Sequence, residues 1–436
     1  MPSAMNAREA ILEADRRYVF RPYTATTAHE REDSIVVVSA EGPYLVDADG
    51  RRFLDGSGAW WCNHLGFQHP RIVEALRRQA SQLSHCALAG ATHEPAARLA
   101  EELVALAPPG MARVFFSDNG STSVEVAAKL AFQYWHQNGR PERKRFLVLP
   151  GGYHGDTIGA MSLSAVDAFN AIFRPLFFDA VRPPDEVASA GFEAVFAWMA
   201  GELANHGDTI AAVVVEPLVQ GAAGMRMYPP ELLRSLREAA DRADTFLIFD
   251  EVFTGFGRTG TFWAAEQAGA RPDLLCTSKG LTGGTLPFAA TLVTERVYDG
   301  FRGDKLRTFM HGHTFCGNPL GAAVAREVLA VYREEDVLER SRPKAARIAE
   351  AFAELGRESG VIATRSLGMI GAADLGGGGY HGGLGWAVHD EAKKRGAHCR
   401  PLGDTVYVVP PLTIPDDDLD RLLDIVHASI RAVTGR

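Results

Sequence analysis

The chain has 436 residues, 46% of them hydrophobic, and a formal charge of −9. That much apolar chain can bury a large core in roughly two to three domains, and an acidic balance without a large Lys/Arg cluster argues against a nucleic-acid partner. No run of roughly eighteen apolar residues occurs, so no membrane span is expected.

The N-terminal stretch Met1 to Arg17 mixes Arg, Glu and Asp without the apolar segment of a secretory signal. Cys62, Cys86, Cys276, Cys316 and Cys399 are few and widely spaced, which fits reduced thiols in a cytoplasm. No pair has zinc-ligand spacing, and no metal is expected.

In chain order, an amphipathic helix is expected over Ala7 to Arg16, then strands at Ile35 to Ser39, Tyr44 to Val46 and Phe53 to Leu54, the last two joined by the turn Asp47-Ala48-Asp49-Gly50. Ile72, Ala75, Leu76, Ala80 and Leu83 recur at the helical period, and a second helix, Glu94 to Leu106, carries Pro95 in its first turn. An alternation follows, with strands at Val114 to Phe116, Phe146 to Leu149, Ala211 to Val215, Phe246 to Phe249, Leu274 to Cys276 and Ala289 to Val293. Helical stretches fall between several of them. This pattern predicts an α/β architecture with a mainly parallel sheet covered on both faces. Helices are expected over Gly321 to Glu334 and Pro343 to Ser359, leading into a smaller α+β unit. The glycine run from Gly376 toward Gly385 is read as a loose connection between a strand ending near Leu375 and a helix beginning near Trp386.

The chemistry concentrates between Phe246 and Gly284. The apolar run Phe246 to Phe249 stops at Asp250-Glu251, and a second run stops at Ser278-Lys279-Gly280, so an acid and an amine both stand at strand carboxyl ends, where open α/β sheets bind ligands. Pyridoxal phosphate needs such a pair: a carboxylate to keep its ring nitrogen protonated and a lysine to hold its aldehyde. Taken alone, Asp250 is equally readable as a helix cap or metal ligand and Lys279 as a solvated loop residue. Ser117 to Thr122 follows a strand and opens a helix, as a phosphate site or as an ordinary cap. Tyr153 in Gly151-Gly152-Tyr153-His154-Gly155-Asp156 can lie against an aromatic ring, while His154 and Asp156 read as polar groups satisfied within their loop.

The segment Asp250-Glu251-Val252-Phe253-Thr254-Gly255-Phe256-Gly257-Arg258-Thr259-Gly260, with Ser278-Lys279-Gly280 beyond it, resembles the signature of the class III aminotransferases. With the other motifs the resemblance runs through nearly the whole chain. It implies the pyridoxal-phosphate transferase fold type I, a large cofactor-binding domain over 68–324 and a small domain built from 1–67 and 325–436. It implies Lys279 as the catalytic residue, Gly120 and Ser121 on the cofactor phosphate, Tyr153 and Val252 on the two ring faces, Asp250 on the ring nitrogen and Glu216 close by. The segment Met310 to Leu320 implies a homodimer with shared sites, in which Thr314 reaches the neighbour's phosphate, His313 stands beside it and Gly312 lies at the substrate.

Trp60-Trp61, Arg21-Pro22-Tyr23-Thr24 and Cys399-Arg400-Pro401-Leu402-Gly403 resemble the branch of that family that serves biotin formation. This implies a small-molecule substrate, 8-amino-7-oxononanoate, aminated to 7,8-diaminononanoate with S-adenosylmethionine as donor. A long aliphatic acid needs an apolar channel and one cation. Tyr23, Trp60 and Trp61 are assigned to the channel and Arg400 to the carboxylate; in their absence of context they would be packing and surface residues. The alternative is an ω-amino acid or amine transaminase using pyruvate or 2-oxoglutarate. Gly58-Ala59 stands where many relatives carry two serines, His313 where several carry proline, and Arg258 is either a second cation at the site or half of a structural ion pair.

Overall fold

The computed structural model describes residues 7–30, 34–376 and 378–435. Its centre is a seven-stranded sheet in the order Met111–Ser117, Ala289–Thr294, Leu274–Thr277, Phe246–Asp250, Ile210–Val215, Arg145–Val148 and Ala180–Val181. Neighbouring strands run parallel except Ala289–Thr294, which is antiparallel to both its partners.

The uninterrupted apolar runs follow from burial on both faces. Val213, Val215, Leu247 and Phe249 join one core cluster, whereas Ala212, Val214, Phe246 and Ile248 join the other, as the two-residue pleat requires. The Gly120–Gln137 helix covers the second face, and its Trp135 indole donates to the Ala211 carbonyl at 2.8 Å. Register then sets the site: Asp250 pairs with Cys276, so the ends of the two central strands lie side by side.

The first and last parts of the chain meet in a four-stranded sheet in which Ala397–His398 runs parallel to Arg52–Asp55, beside Tyr44–Asp47 and Val37–Glu41. A three-stranded sheet of Ala363–Leu367, Ile370–Asp374 and Thr405–Val408 completes this region. Arg258 ties it to the central sheet. Its guanidinium is fully buried and donates to the carbonyls of Pro410 at 2.7 Å and Met369 at 3.4 Å. The ion-pair alternative for Arg258 is therefore not what the structure shows.

The Trp60-Trp61 pair lies in one left-handed turn: Gly58, Ala59, Trp60 and Trp61 all have positive φ, between 48° and 75°. Asp55 steadies it by accepting from the backbone of Ser57 at 3.1 Å and Ala59 at 2.5 Å. The helix placed at Pro343 begins earlier, spanning Val337–Leu355 with the proline inside its second turn. The glycine connection is not loose: the Asp404 carboxylate accepts from the N–H groups of Gly378 at 3.1 Å and Leu384 at 2.9 Å. Gly377 of that run lies outside the described residues.

Glu251, directly after Asp250, is wholly buried and accepts from Thr254 Oγ1 at 2.6 Å and from the amides of Ala264 at 3.1 Å and Ala265 at 2.9 Å. Burial pushes its carboxyl up to about 7. Since the folded value lies above the unfolded one, its contribution to stability is complete below about pH 4.3 and is lost as pH rises through 7. Glu251→Gln is expected to remove that share of the pH dependence of the melting temperature between pH 5 and 8. Glu251→Ala strands two buried amides and is expected to destabilise the fold by about 2–4 kcal/mol; equal melting temperatures for the alanine variant and the wild type would contradict this.

Candidate active site

The strand ends open onto a cavity of about 410 Å³ lined by Lys279, Asp250, Tyr153, Glu216, Val252 and the Gly120-Ser121 turn, among others. Seven positions expected at a cofactor are thus brought together: Gly120, Ser121, Tyr153, Glu216, Asp250, Val252 and Lys279. Trp61 lines the same cavity, with the Lys279 amine 4.9 Å from its ring centre. Tyr23, Trp60, Gly312, His313, Thr314 and Arg400 lie outside this lining.

Lys279 begins a short turn of helix, Lys279–Thr282, that ends in two left-handed glycines, Gly283 and Gly284. A side chain at Gly284 would press on Cys62 at 3.2 Å, so the chain can only reverse here through glycine. The lysine borders the cavity but is otherwise enclosed by protein, and desolvation lowers its pKa from 10.5 against the pull of Cys62, Asp250 and Glu216. A larger fraction of neutral amine at a given pH results.

Asp250 is held by a neighbour that sequence reasoning left as a loop residue. His154 Nδ1 lies 2.7 Å from Asp250 Oδ2, with the imidazole fully buried, while Asp250 Oδ1 accepts from the Val252 amide at 3.1 Å. The His154 amide is itself fixed by Ser164 Oγ at 2.9 Å. Glu216 is another acid of the cavity; burial first and the Asp250 charge second raise it well above the usual carboxylate range.

The helix opening at Gly120 leaves its first N–H groups without intrahelical partners, on the cavity wall and at the positive end of an 18-residue helix. The turn is close-packed: a Cβ on Gly120 would come within 2.7 Å of Val252. The Asn119 side chain caps Thr122 at 3.1 Å, so the ordinary cap and the anion-ready turn coexist.

These features fit pyridoxal phosphate. An amine of lowered pKa, a buried carboxylate steadied by an imidazole, an aromatic ring, a valine, and free amides for a phosphate converge on one cavity.

Above the cavity stands an aromatic wall. Tyr23 donates to Asp156 at 2.7 Å and its hydroxyl lies 3.4 Å from that of Tyr153. The Tyr23 ring meets Trp60 at 5.6 Å and Phe169 at 5.4 Å, and Phe169 meets Tyr380 at 4.7 Å. The Arg400 guanidinium lies 4.9 Å over the Trp60 ring and 5.6 Å from that of Trp386, and it forms no ion pair with a described residue. Asp156, Phe169 and Tyr380 were missed. Only Asp156 had a signal, its place in the Tyr153-His154-Gly155-Asp156 run.

Trp61 lines the cavity from the core side: it is buried, its indole N–H donates to Tyr407 at 3.0 Å, and its ring packs 4.6 Å from Phe253. His313 pairs with Asp118 at 2.6 Å, and Gly312 and Thr314 are exposed.

The class-III aminotransferase family model matches residues 26–430, and the chain belongs to that family. It is a pyridoxal-phosphate-dependent aminotransferase of fold type I. Among individual relatives it is similar to the adenosylmethionine-8-amino-7-oxononanoate aminotransferases of Geobacter sulfurreducens, 40% identical over 97% of both chains, and Synechococcus elongatus, 44% identical over 91% of this chain and 95% of the relative. The crystal structure of the Methanocaldococcus jannaschii enzyme of that name matches with a TM-score of 0.92 at 32% identity, covering 97% of this chain and 99% of the other. A PLP-bound amine transaminase from an uncultivated Pseudomonas species matches at 0.89 and 31% identity, over 95% and 99%.

His154→Ala leaves Asp250 buried without its partner. It is expected to weaken cofactor binding about tenfold or more, read by titrating apoprotein with pyridoxal phosphate and following the visible absorbance. An unaltered titration would show that Asp250 does not depend on His154.

Proposed function

We propose that this aminotransferase converts 8-amino-7-oxononanoate to 7,8-diaminononanoate in biotin formation, with S-adenosylmethionine as amino donor. The observation that carries the reading is Arg400, a partly buried guanidinium resting on two indoles beyond an aromatic wall, without an acid of its own among the described residues. An aliphatic chain ending in a carboxylate is the complement of that arrangement. Relatives bearing the corresponding name over nearly the full chain support it.

Pyridoxal phosphate, when bound, supplies an aldehyde and an electron-withdrawing ring. Lys279 would hold that aldehyde, then remove and return the proton at the substrate carbon, for which its amine must be neutral. Asp250 would keep a proton on the ring nitrogen, oriented through His154, with Glu216 nearby on the cavity wall. Tyr153 and Val252 would pack against the two ring faces, and the Gly120 and Ser121 amides would take the phosphate. Tyr23 and Trp60 would flank the acceptor's chain, with Arg400 at its carboxylate.

The protein would act as a homodimer in the cytoplasm. Leu306, Met310 and Phe315 are 90%, 84% and 58% exposed, an apolar edge around Gly312, His313 and Thr314 that suits delivery to a neighbouring subunit's site. All five cysteines are free, and among the described residues no helix is long and apolar enough to cross a membrane. The strand pairing of Ala397–His398 with Arg52–Asp55 supports a small unit drawn from 1–67 and 325–436 around a large one over 68–324.

A second reading, an amine or ω-amino acid transaminase using pyruvate or 2-oxoglutarate, is favoured by the likeness to the Pseudomonas amine transaminase. An assay of diaminononanoate formation with S-adenosylmethionine, lysine and amine donors separates the two; formation from no donor would remove the biotin assignment. Arg400→Ala is expected to raise KM for the keto acid by about tenfold or more, with kcat less affected. The rate at which Lys279 captures added pyridoxal phosphate should rise with pH through a midpoint below the ordinary 10.5. A midpoint at or above that value would contradict the desolvated amine.

A further inference from the structure

The turn over 313–316 brings a second set of ligand-type side chains to the edge of the cavity. It is closed by the Cys316 amide donating to the His313 carbonyl at 3.1 Å, so the two side chains, three residues apart, come together. Facing them is Asp118, which lines the cavity and directly precedes Asn119, the cap of the Gly120–Gln137 helix. One ligand atom from each of Asp118, His313 and Cys316 lies within 4.8 Å of the other two, and all three residues are partly buried.

A carboxylate, an imidazole and a thiol are the donors of a zinc-class cation, whereas magnesium and calcium take oxygen alone. The spacing agrees. Tetrahedral bonds of about 2.1 Å to oxygen and nitrogen and about 2.3 Å to sulfur set ligand atoms roughly 3.4–3.6 Å apart. His313 Nδ1 and Asp118 Oδ2 stand at 2.6 Å, sharing a proton, and no pair exceeds 4.8 Å, so the three atoms straddle the required separation.

Two further contacts prepare the ligands. The His313 amide donates to Cys316 Sγ at 3.0 Å, and an N–H aimed at sulfur favours the thiolate that a metal binds. The His311 ring stands edge-on to that of His313, at 5.1 Å and 69°, and packs against the ligand imidazole. Proline at 313 would supply neither the imidazole nor the amide proton. Burial pushes the Cys316 thiol up, and a bound cation removes its proton outright.

We propose that Asp118, His313 and Cys316 form a site for one zinc-class divalent cation per chain, completed by water, that staples the segment carrying Gly312 and Thr314 to the turn ahead of Gly120. On binding, the thiol proton and the proton between His313 and Asp118 leave to solvent, and no electron is transferred. The expectation of no metal followed from the cysteines taken in pairs, whereas this site takes a single thiol. It does not depend on which acceptor the enzyme uses.

The test uses the holoenzyme, first freed of metal with a chelator. Zinc binding is measured by calorimetry, and cobalt(II) serves as a coloured probe read in the red, away from the cofactor's absorbance. The wild type is expected to bind one equivalent of zinc, to give the absorption of tetrahedral cobalt, and to ignore magnesium. Zinc at about a hundredfold over its Kd should raise the melting temperature by about 2–4 °C. Cys316→Ala is expected to weaken zinc about a hundredfold or more and to abolish both the cobalt colour and the thermal shift, with metal-free turnover within about twofold of wild type. Asp118→Asn should weaken zinc about tenfold or more. Absence of a bound equivalent in the wild type overturns the proposal. So does zinc held equally by the wild type and either variant, which would mark an adventitious ion only.

Discussion

The parallel pairing of Phe246–Asp250 with Leu274–Thr277 is the constraint on which the site depends. Because Asp250 stands opposite Cys276, the two chains leave the sheet side by side, one ending in an acid and the other turning within three residues into Lys279. Both strands are buried on both faces, so a slip of one residue would exchange two complete core faces, and the register is fixed by the whole hydrophobic interior. The positions of the carboxylate and the amine are thus set by packing far from either.

Electrostatics within the cavity divide the labour among groups of similar type. Burial, with Asp250 as the second cause, raises the Glu216 carboxyl well above the usual carboxylate range. The imidazole of His154 and the Val252 amide are both engaged on Asp250. The same desolvation that raises Glu216 lowers the Lys279 amine. One physical cause therefore pushes an acid and a base alike toward their uncharged forms.

Most of the large sheet was legible from residue order, because continuous apolar runs between helical periods have few other readings. Asp250 and Lys279 at the cavity were legible because they stand at the ends of those runs, where sequence position and spatial position coincide. The aromatic wall was not. Phe169, Tyr380 and Asp156 come from separate short segments whose approach is decided by tertiary contacts, and a phenylalanine in a single turn of helix carries no local sign of its neighbours. Gly376 to Gly385 misled for a related reason: glycine is used there to admit the Asp404 carboxylate, and a sequence shows glycine without showing what it makes room for. Trp60 and Trp61 were both assigned to one channel, and the left-handed turn that sends one ring to Arg400 and the other toward Tyr407 and Phe253 has no sign in the sequence.

That turn has an evolutionary side. Ala59, Trp60 and Trp61 occupy a backbone region that costs a side-chain-bearing residue roughly 1–2 kcal/mol each, and glycine there would relieve the strain. Selection for heat resistance alone would be drawn to these positions, and its gains at Trp60 would be taken from the indole on which the guanidinium rests. Thermal tolerance and discrimination among acids are thus set against each other at one corner of the backbone, and lineages adapting to different temperatures would have to renegotiate it.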